Sequence, residues 1–279
     1  MNNSNIAFII FTLNEEKRIE YPVRNFVKYG EVIILDGGST DKTGEIAQKY
    51  GAKFLQRPNM GTMCGETQEM LNFVLANTDK KWFFWQYVDD LAPRSLLEKM
   101  TKISKQNKYK KVIVPLYTYL WGKTKFPALK GSVGCFFERG SVDFSNNKIH
   151  QMGRFLGKKE EILYLPICDK YAIRHFSLYN ISKFATNHLA YAEAEAEQKY
   201  VSGKKYSIIK MFAAMLRYFW LFYKNNWKNG AVGFMAALAY SYFRLLTYFR
   251  LYEKEKGITL EMIESQFVVE KKKIIDSLA

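Results

Sequence analysis

The amino-acid sequence predicts an α/β sandwich with a mixed, mostly parallel central sheet, followed by a C-terminal helical hairpin. Short apolar runs rich in β-branched and aromatic residues alternate with helix-like segments in the N-terminal part of the chain. The first run is apolar throughout, as expected for a strand buried on both faces. From about residue 180 onward, strong helix formers and long aromatic segments replace this alternation.

Each element has its own local signal. Apolar β-branched and aromatic runs mark the strands, polar caps and early acids mark helix starts, and Gly30 and Gly51 mark two helix ends. The predicted strands are 6–11, 32–35, 52–55, 82–88 and 112–116, and the predicted helices are 14–26, 41–49, 68–76, 94–104, 190–199, 208–223 and 231–252. Residues 117–171 have weak periodicity, which predicts loops and short strands.

Composition narrows the class of protein and its partners. With 48% hydrophobic and 25% charged residues, the 279-residue chain is not generally disordered. Its net charge of +15 predicts an anionic partner, which is a nucleotide, an acidic membrane surface or nucleic acid. No helix-turn-helix, zinc-finger or RNA-binding signature accompanies the charge, which argues against nucleic acid.

Cysteine usage and the N-terminus predict a cytoplasmic protein. Cys64, Cys135 and Cys168 lie far apart with no CxxC pair, which indicates a reducing compartment and neither a disulfide framework nor a zinc site. The polar start of the chain leads directly into a strand-like segment, so no signal peptide is visible.

The predicted strand 82–88 ends in two adjacent carboxylates, Asp89 and Asp90, and Pro93 breaks the chain just beyond. Carboxylates at the end of a buried strand commonly hold a divalent metal beside a phosphorylated substrate. The alternative is a solvated Asp-Asp turn.

Two earlier strand ends carry further polar residues, in the segments 12–16 and 36–41. In an open α/β sheet, ligands bind outside the carboxyl ends of the strands. Gly37 and Gly38 permit close backbone approach, and Asp36 can accept hydrogen bonds from a base or a ribose. The alternative for each loop is an ordinary βα connection with a capping Asp. Neither a GxGxxG fingerprint nor a GxxxxGK phosphate loop is present.

Taken together, the segments 12–15, 36–41 and 89–93 resemble the nucleotide-sugar motifs of inverting family 2 glycosyltransferases in order and spacing. The segment 72–75, followed by Trp82, resembles the stretch that precedes the acidic motif of that family. The resemblance extends through His150 and His175 to the C-terminal hairpin. Over this longer stretch the sequence is similar to the small lipopolysaccharide core glucosyltransferases.

This resemblance implies a GT-A fold and metal-assisted, inverting transfer of a sugar from a nucleotide-diphosphate donor, with a UDP-sugar favoured, to a surface-glycan or lipid-linked acceptor. It also implies that Asp89 binds Mg²⁺ or Mn²⁺, with His175 as a third metal contact or a phosphate contact, and a packed or surface imidazole as the alternative. The residues implied for the nucleotide site are Thr12, Asn14, Glu15, Asp36, Gly38 and Ser39.

The sequence departs from the family pattern at three positions. Tyr87 stands in place of the first acid of the DxD motif, which leaves the metal site one carboxylate short. Asp90 stands where relatives usually have Glu, and Gln151 stands where a Glu would be the base that deprotonates the acceptor hydroxyl. Asp143 is the nearby alternative base.

The hairpin 207–252 predicts a peripheral membrane contact. Met211, Met215, Phe219 and Phe222 recur at helical spacing, while Lys210, Arg217 and Lys224 recur on another face, as in a basic amphipathic helix that lies on a membrane. Only fifteen uncharged residues separate Lys228 from Arg244, which is too short a stretch to span a bilayer. The alternative is that these helices pack on the catalytic domain or form a homodimer.

The sequence therefore predicts a GT-A catalytic domain at 1–178, with a nucleotide-sugar half (1–93) and an acceptor half (94–178), followed by a helical region at 179–279. The predicted protein is a cytoplasmic glycosyltransferase, peripheral at the inner face of the membrane. Three alternatives stay open: a degenerate relative that binds nucleotide or membrane without catalysis, a nucleotidyltransferase and a basic nucleic-acid-binding protein.

Overall fold

A computed structural model describes residues 4–58, 65–145, 147, 151–177 and 180–277. The chain divides into two compact units, Met1–Leu178 and Tyr179–Ala279. The first unit contains strands β1 (Ile6–Thr12), β2 (Glu31–Asp36), β3 (Lys53–Gln56), β4 (Trp82–Tyr87), β5 (Asp90–Leu91), β6 (Lys111–Tyr119), β7 (Leu129–Glu138), β8 (Val142–Asp143), β9 (Arg154–Phe155), β10 (Ile162–Tyr164) and β11 (Ile173–Phe176). Its helices are α1 (Glu20–Phe26), α2 (Thr43–Lys49), α3 (Gln68–Asn77) and α4 (Arg94–Ile103).

A nine-stranded sheet organises the first unit in the order β3-β2-β1-β4-β7-β6-β11-β5, with β10 also paired to β6. Strands β3, β2, β1 and β4 are mutually parallel, and β7 runs antiparallel to both β4 and β6. Beyond β7, β11 is parallel to β6. The predicted class, an α/β fold with a mixed and mostly parallel sheet, is confirmed. Because β2, β1 and β4 are parallel neighbours, their carboxyl ends lie together at one sheet edge.

Aromatic packing on the central strands forms the core. All seven residues of β1 are buried, in agreement with the uninterrupted apolar run. Phe8 on β1 stacks on Phe26 of α1 at a ring distance of 4.7 Å, and Trp82 on β4 stacks on Phe136 of β7 at 4.6 Å. These contacts hold α1 and β7 on the two central strands and so fix the loops that follow them.

Two local predictions were wrong. Helix α1 begins at Glu20 and not near Asn14, because Asn14 adopts a left-handed conformation (φ +54°) and a turn follows it. The segment expected to hold only loops and short strands contains β7, a strand of ten residues. Gly131, Ser132 and Gly134 dilute its strand signal, and its pairing with β6 and β4 supplies the stability that local propensity lacks.

The second unit is helical, with α5 (Ile181–Val201), α6 (Ile208–Asn226), α7 (Ala231–Lys256) and α8 (Leu260–Asp276). Glu195 on α5 receives two hydrogen bonds of 2.8 Å from Arg244 on α7, a bidentate pair. Phe222 on α6 stacks on Tyr240 of α7 at 3.7 Å. Within the described residues, no helix is long and apolar enough to cross a membrane.

Part of the apolar stripe singled out on α6 is buried against α7. Met211 and Phe222 are each only 5% exposed, and Phe219 packs edge-on against Phe234 of α7. Met211 and Phe222 are therefore not available to a membrane, and the expected peripheral membrane contact of the hairpin stays a prediction.

Candidate active site

Three strand ends meet at one edge of the parallel half of the sheet. Thr12 at the end of β1 is in register with Asp36 at the end of β2. On the other side of β1, Phe11 is in register with Tyr87 at the end of β4. Parallel pairing therefore places the segments 12–16, 36–41 and 87–91 side by side.

Asp36 organises the first two of these segments. Its carboxylate is buried and accepts hydrogen bonds from the Thr12 hydroxyl (2.9 Å), the backbone N–H groups of Gly38 (2.8 Å) and Ser39 (2.7 Å), and the Ser39 hydroxyl (2.5 Å). Gly38 has a φ of +99°, which favours glycine. Because protein donors already engage both oxygens of Asp36, we interpret this residue as the one that shapes the loop.

Asn14 and Glu15 close the arrangement from the β1 side. The Asn14 backbone N–H donates to the Ser39 hydroxyl (2.7 Å), and the Asn14 amide oxygen accepts from the Thr40 backbone (2.9 Å). The Glu15 backbone N–H donates to the Thr43 hydroxyl (2.7 Å). The structure thus brings together all six residues that the resemblance implied for the nucleotide site.

A second cluster lies at the end of β4. One ligand atom from each of Asp89, Asp90 and His175 lies within 4.8 Å of the others. Nδ1 of His175 is 2.8 Å from Oδ1 of Asp90 and 3.6 Å from Oδ1 of Asp89. The backbone sets this geometry, because β11 pairs antiparallel to β5 with His175 opposite Asp90.

Burial and mutual charge shift the pKa values of this cluster. Burial raises the pKa of Asp89 above its usual range, although the nearby His175 opposes the shift. Burial alone would lower the pKa of His175, but the charges of Asp89 and Asp90 outweigh it and raise the pKa to about 9. At neutral pH and without a metal, His175 is therefore protonated beside Asp89 and Asp90.

The donor set fits Mn²⁺ or Mg²⁺. Carboxylate oxygens suit both ions, and an imidazole nitrogen favours Mn²⁺ of the two. Asp90 is 5% exposed, contacts Nδ1 of His175 and accepts a hydrogen bond from the backbone N–H of Tyr87 (3.1 Å), so we interpret it as the residue that orients the ring. The residues that can hold the ion are therefore Asp89 and His175.

Tyr87 and Glu66 form a contact that the sequence did not predict. The Tyr87 hydroxyl donates to the carboxylate of Glu66, which is 6% exposed. The Glu66 carbonyl in turn accepts from the Asn147 side chain (3.0 Å). A carboxylate therefore lies next to the position of the missing DxD acid. No spacing rule points to Glu66, because it precedes Tyr87 by 21 residues in another loop.

Arg18 is a second residue that the sequence analysis missed. Its guanidinium forms a bidentate pair with Glu15 at 2.6 and 2.7 Å. The same charge opposes part of the rise in the pKa values of Asp89 and His175, which places Arg18 near the carboxylate cluster. Arg18 thus supplies a positive charge beside Glu15 and near the candidate metal ligands.

The predicted acceptor residues line a cavity of about 390 Å³ formed by Asp143, Asn147, Gln151, Gly153 and Arg154. Asp143 accepts from Ser145 and pairs with Arg154 at 2.9 Å, and these contacts lower its pKa to about 2. A carboxylate with so low a pKa is a weak base. The base role of Asp143 stays a prediction, and this pKa counts against it. His150 and Cys64 lie outside the described residues.

Comparison with known proteins agrees with this geometry. The family model for Glycosyl transferase family 2 matches residues 7–163. The chain is 24% identical over 259 residues to the lipopolysaccharide core biosynthesis glycosyltransferase LpsC of Rhizobium meliloti (strain 1021), with 89% of this chain and 92% of LpsC covered. It is also 24% identical over 296 residues to an uncharacterized glycosyltransferase of Rickettsia bellii (strain RML369-C), with 95% and 93% covered.

Solved structures show a more distant likeness. The chain aligns with S. aureus TarS at a TM-score of 0.43 and 14% identity, over 67% of this chain and 39% of TarS. It aligns with a mycobacterial protein at a TM-score of 0.46 and 18% identity, over 68% and 73% of the two chains.

Proposed function

This chain belongs to glycosyl transferase family 2, and we propose that it moves one sugar from a nucleotide-diphosphate donor to a surface-glycan or lipid-linked acceptor with inversion. It is a glycosyltransferase with a GT-A fold. The observation that carries the finer proposal is the meeting of the Asp36-organised loops with the Asp89–Asp90–His175 cluster at one sheet edge. A nucleoside diphosphate needs a site that binds the nucleoside next to a site that neutralises the diphosphate charge. This edge of the sheet has residues for both.

The nucleoside side of the site is formed by the loop that Asp36 holds. Thr12 and Ser39 are bonded to the Asp36 carboxylate, and Asn14 is bonded to Ser39. We infer that the nucleoside packs against this loop and that Gly38 allows its close approach. A UDP-sugar is the donor favoured by the resemblance to the family.

The second cluster would bind the negatively charged diphosphate of the donor. Asp89 and His175 would hold Mg²⁺ or Mn²⁺, which as a Lewis acid neutralises charge on the departing nucleotide. Asp90 keeps the His175 ring in position. Arg18 adds a positive charge on the side of the nucleotide loops.

The reaction is a single displacement. The acceptor hydroxyl oxygen forms a bond to the anomeric carbon as the bond from that carbon to the diphosphate oxygen breaks, and the nucleoside diphosphate leaves with the bonding electrons. The hydroxyl proton passes to a base; Asp143 is the carboxylate in the 390 Å³ cavity, but its pKa of about 2 argues against that role. The similarity to LpsC makes a lipopolysaccharide core glycan the first acceptor class to test.

A thermal-shift panel of nucleoside diphosphates with and without Mn²⁺ tests the donor site. We expect UDP with Mn²⁺ to raise the melting temperature of the wild-type protein and to lose this effect in Asp89→Ala. Asp79→Ala, which removes an exposed carboxylate elsewhere in the first unit, is the matched control. If no nucleoside diphosphate shifts the wild-type protein in the presence of Mn²⁺, the proposed donor site is wrong.

One observation favours a second candidate, a degenerate relative that binds the donor without transferring it. Tyr87 and Gln151 stand where the family pattern has acids. Donor turnover separates the two candidates, because an active enzyme releases UDP from UDP-glucose in the presence of a glycan acceptor. Metal-dependent UDP binding without any UDP release, over a panel of sugar donors and glycan acceptors, would favour the degenerate relative.

A further inference from the structure

The α6–α7 hairpin has an unusual charge distribution. Residues 202–252 contain eight Lys and Arg residues and no Asp or Glu. Arg244 and Arg250 are paired with glutamates outside this segment, on α5 and at the end of α7. Residues 202–252 therefore carry only positively charged side chains.

An apolar row faces outward on α6. Its members are 78%, 49%, 61% and 62% exposed, in the order Ile209, Phe212, Leu216 and Trp220. Their spacing of three, four and four residues places them on one side of the helix. Contiguous exposed apolar patches on a soluble domain mark interaction sites.

A basic row runs beside the apolar row. Lys210, Arg217 and Lys224 are exposed and recur every seven residues, so they too share one side of α6. Lys210 follows Ile209 and Arg217 follows Leu216 by one residue, and Lys224 follows Trp220 by four. These offsets place the basic row along one edge of the apolar row. None of the three forms an ion pair within the described residues.

Helix α7 extends the apolar row. Phe234 is 46% exposed and packs edge-on against Phe219 and Tyr223 of α6, at ring distances of 5.8 and 6.1 Å. Leu238 and Tyr242 follow Phe234 at helical spacing and are also exposed. The outward apolar surface thus continues from α6 onto α7.

We propose that the apolar row and its α7 extension dock on an anionic lipid bilayer, with the basic row at the level of the lipid headgroups. Two interactions hold a helix in the membrane plane. Its apolar side chains are buried at the boundary of the acyl chains, and its Lys and Arg side chains contact anionic headgroups. Trp220 at the edge of the row suits this boundary, because an indole ring is apolar with one polar N–H group.

Charge selects the bilayer over a second copy of the chain. A symmetric dimer through the apolar row would bring two basic rows close together without a carboxylate in residues 202–252 of either copy. A bilayer with anionic lipid instead supplies the opposite charge. The proposal does not depend on the donor site, since every residue that carries it lies on α6 or α7.

Co-sedimentation of the full-length protein with vesicles tests this surface. We expect binding to vesicles of equimolar phosphatidylcholine and phosphatidylglycerol, and much weaker binding to phosphatidylcholine alone. Because each basic residue near an anionic surface contributes about a fivefold factor, Lys210→Gln, Arg217→Gln and Lys224→Gln together lower the partition coefficient about 100-fold. Leu216→Ser with Trp220→Ser lowers it at least about tenfold.

The matched control removes the same charge elsewhere. Lys271→Gln, Lys272→Gln and Lys273→Gln on the exposed face of α8 lower the net charge equally and leave the partition coefficient within about twofold of wild type. Equal loss in this control, or wild-type binding by the apolar-row variant, overturns the proposal. The surface belongs instead to a second copy of the chain if the wild type dimerises in buffer without binding vesicles and the apolar-row variant does not dimerise. Retained UDP and Mn²⁺ stabilisation in every variant shows that the donor site is intact.

Discussion

Nδ1 of His175 lies 2.8 Å from Oδ1 of Asp90, although 85 residues separate the two in the chain. The pairing of β11 with β5 brings them together, and the second oxygen of Asp90 accepts from the Tyr87 backbone. Asp90 is therefore fixed on both sides, and through it the His175 ring is fixed as well. This relationship gives Asp89 and Asp90 different tasks, with Asp89 the candidate ligand and Asp90 the residue that positions the histidine.

Asp90→Asn should weaken metal binding without removing a ligand. The amide keeps the shape of the side chain but lacks the charge that stabilises the oriented ring, and loss of such a partner typically lowers metal affinity about 10- to 100-fold. Titration with Mn²⁺ followed by electron paramagnetic resonance measures the affinity. Asp79→Asn serves as the control. Wild-type Mn²⁺ affinity in Asp90→Asn would show that Asp90 does not position His175 for the ion.

The stability of the metal-free protein should fall as the pH rises through about 9. His175 has a folded-state pKa of about 9, above its ordinary value of 6.5, so its contribution is fully present below 6.5 and is lost as the pH passes the folded-state value. The shift corresponds to a contribution on the order of 3 kcal/mol. Burial also raises the pKa of Asp89, the carboxyl group beside this histidine.

Urea unfolding in the presence of a chelator, at pH values below 6.5 and above 9, measures this change. Lysines and tyrosines also titrate at alkaline pH, so the comparison with His175→Gln isolates the histidine. We expect a smaller fall in the free energy of unfolding for His175→Gln than for the wild type. Parallel pH curves for the two proteins would contradict the assigned pKa.

Tyr87→Phe should destabilise the protein by about 1 to 3 kcal/mol, the usual effect of removing a donor from a buried acceptor. The acceptor is the Glu66 carboxylate, which is 6% exposed. Tyr164→Phe, at a tyrosine that is 63% exposed on β10, is the matched control and should change stability by less than about 0.5 kcal/mol. Equal effects of the two substitutions on the free energy of unfolding would mean that the Tyr87–Glu66 contact contributes nothing.

The sequence predicted the part of the site that depends on local signals. Buried parallel strands are apolar along their length, so the polar residues that end them at Thr12, Asp36 and Asp89 stand out. Parallel pairing then brings these ends together. The resemblance to the family added His175, whose pairing with Asp90 no local pattern reveals.

Long-range contacts account for what the sequence analysis missed. Glu66 can be identified as a site residue only from its contact with Tyr87. The strand β7 can be identified only from its pairing with β4 and β6. The start of α1 was misplaced because Asn14 bonds to the loop at Ser39 and Thr40, and a preference for a helix start does not reveal that partner.

Gly233→Ala should destabilise the α6–α7 hairpin. Alanine is a better helix former than glycine by about 1 kcal/mol, which would favour the variant. A Cβ at this position, however, would lie far inside van der Waals contact of the Asn226 backbone carbonyl, and such overpacking costs about 1 to 3 kcal/mol. We expect a net loss in the free energy of unfolding. Gly131→Ala on β7, where a Cβ meets nothing within 4 Å, is the control and should not be destabilised.

Asp143→Asn should lower kcat by less than about tenfold, whereas loss of a general base lowers it by about 10² to 10⁴. Ser145 and Arg154 hold the pKa of Asp143 near 2, so its carboxylate has little affinity for the acceptor proton at neutral pH. Once a donor and an acceptor are known, kcat for Asp143→Asn and for Arg154→Gln tests this prediction. Removing Arg154 should raise the pKa of Asp143 toward its ordinary value without removing the carboxylate. A hundredfold loss in Asp143→Asn, with activity retained in Arg154→Gln, would instead identify Asp143 as the base.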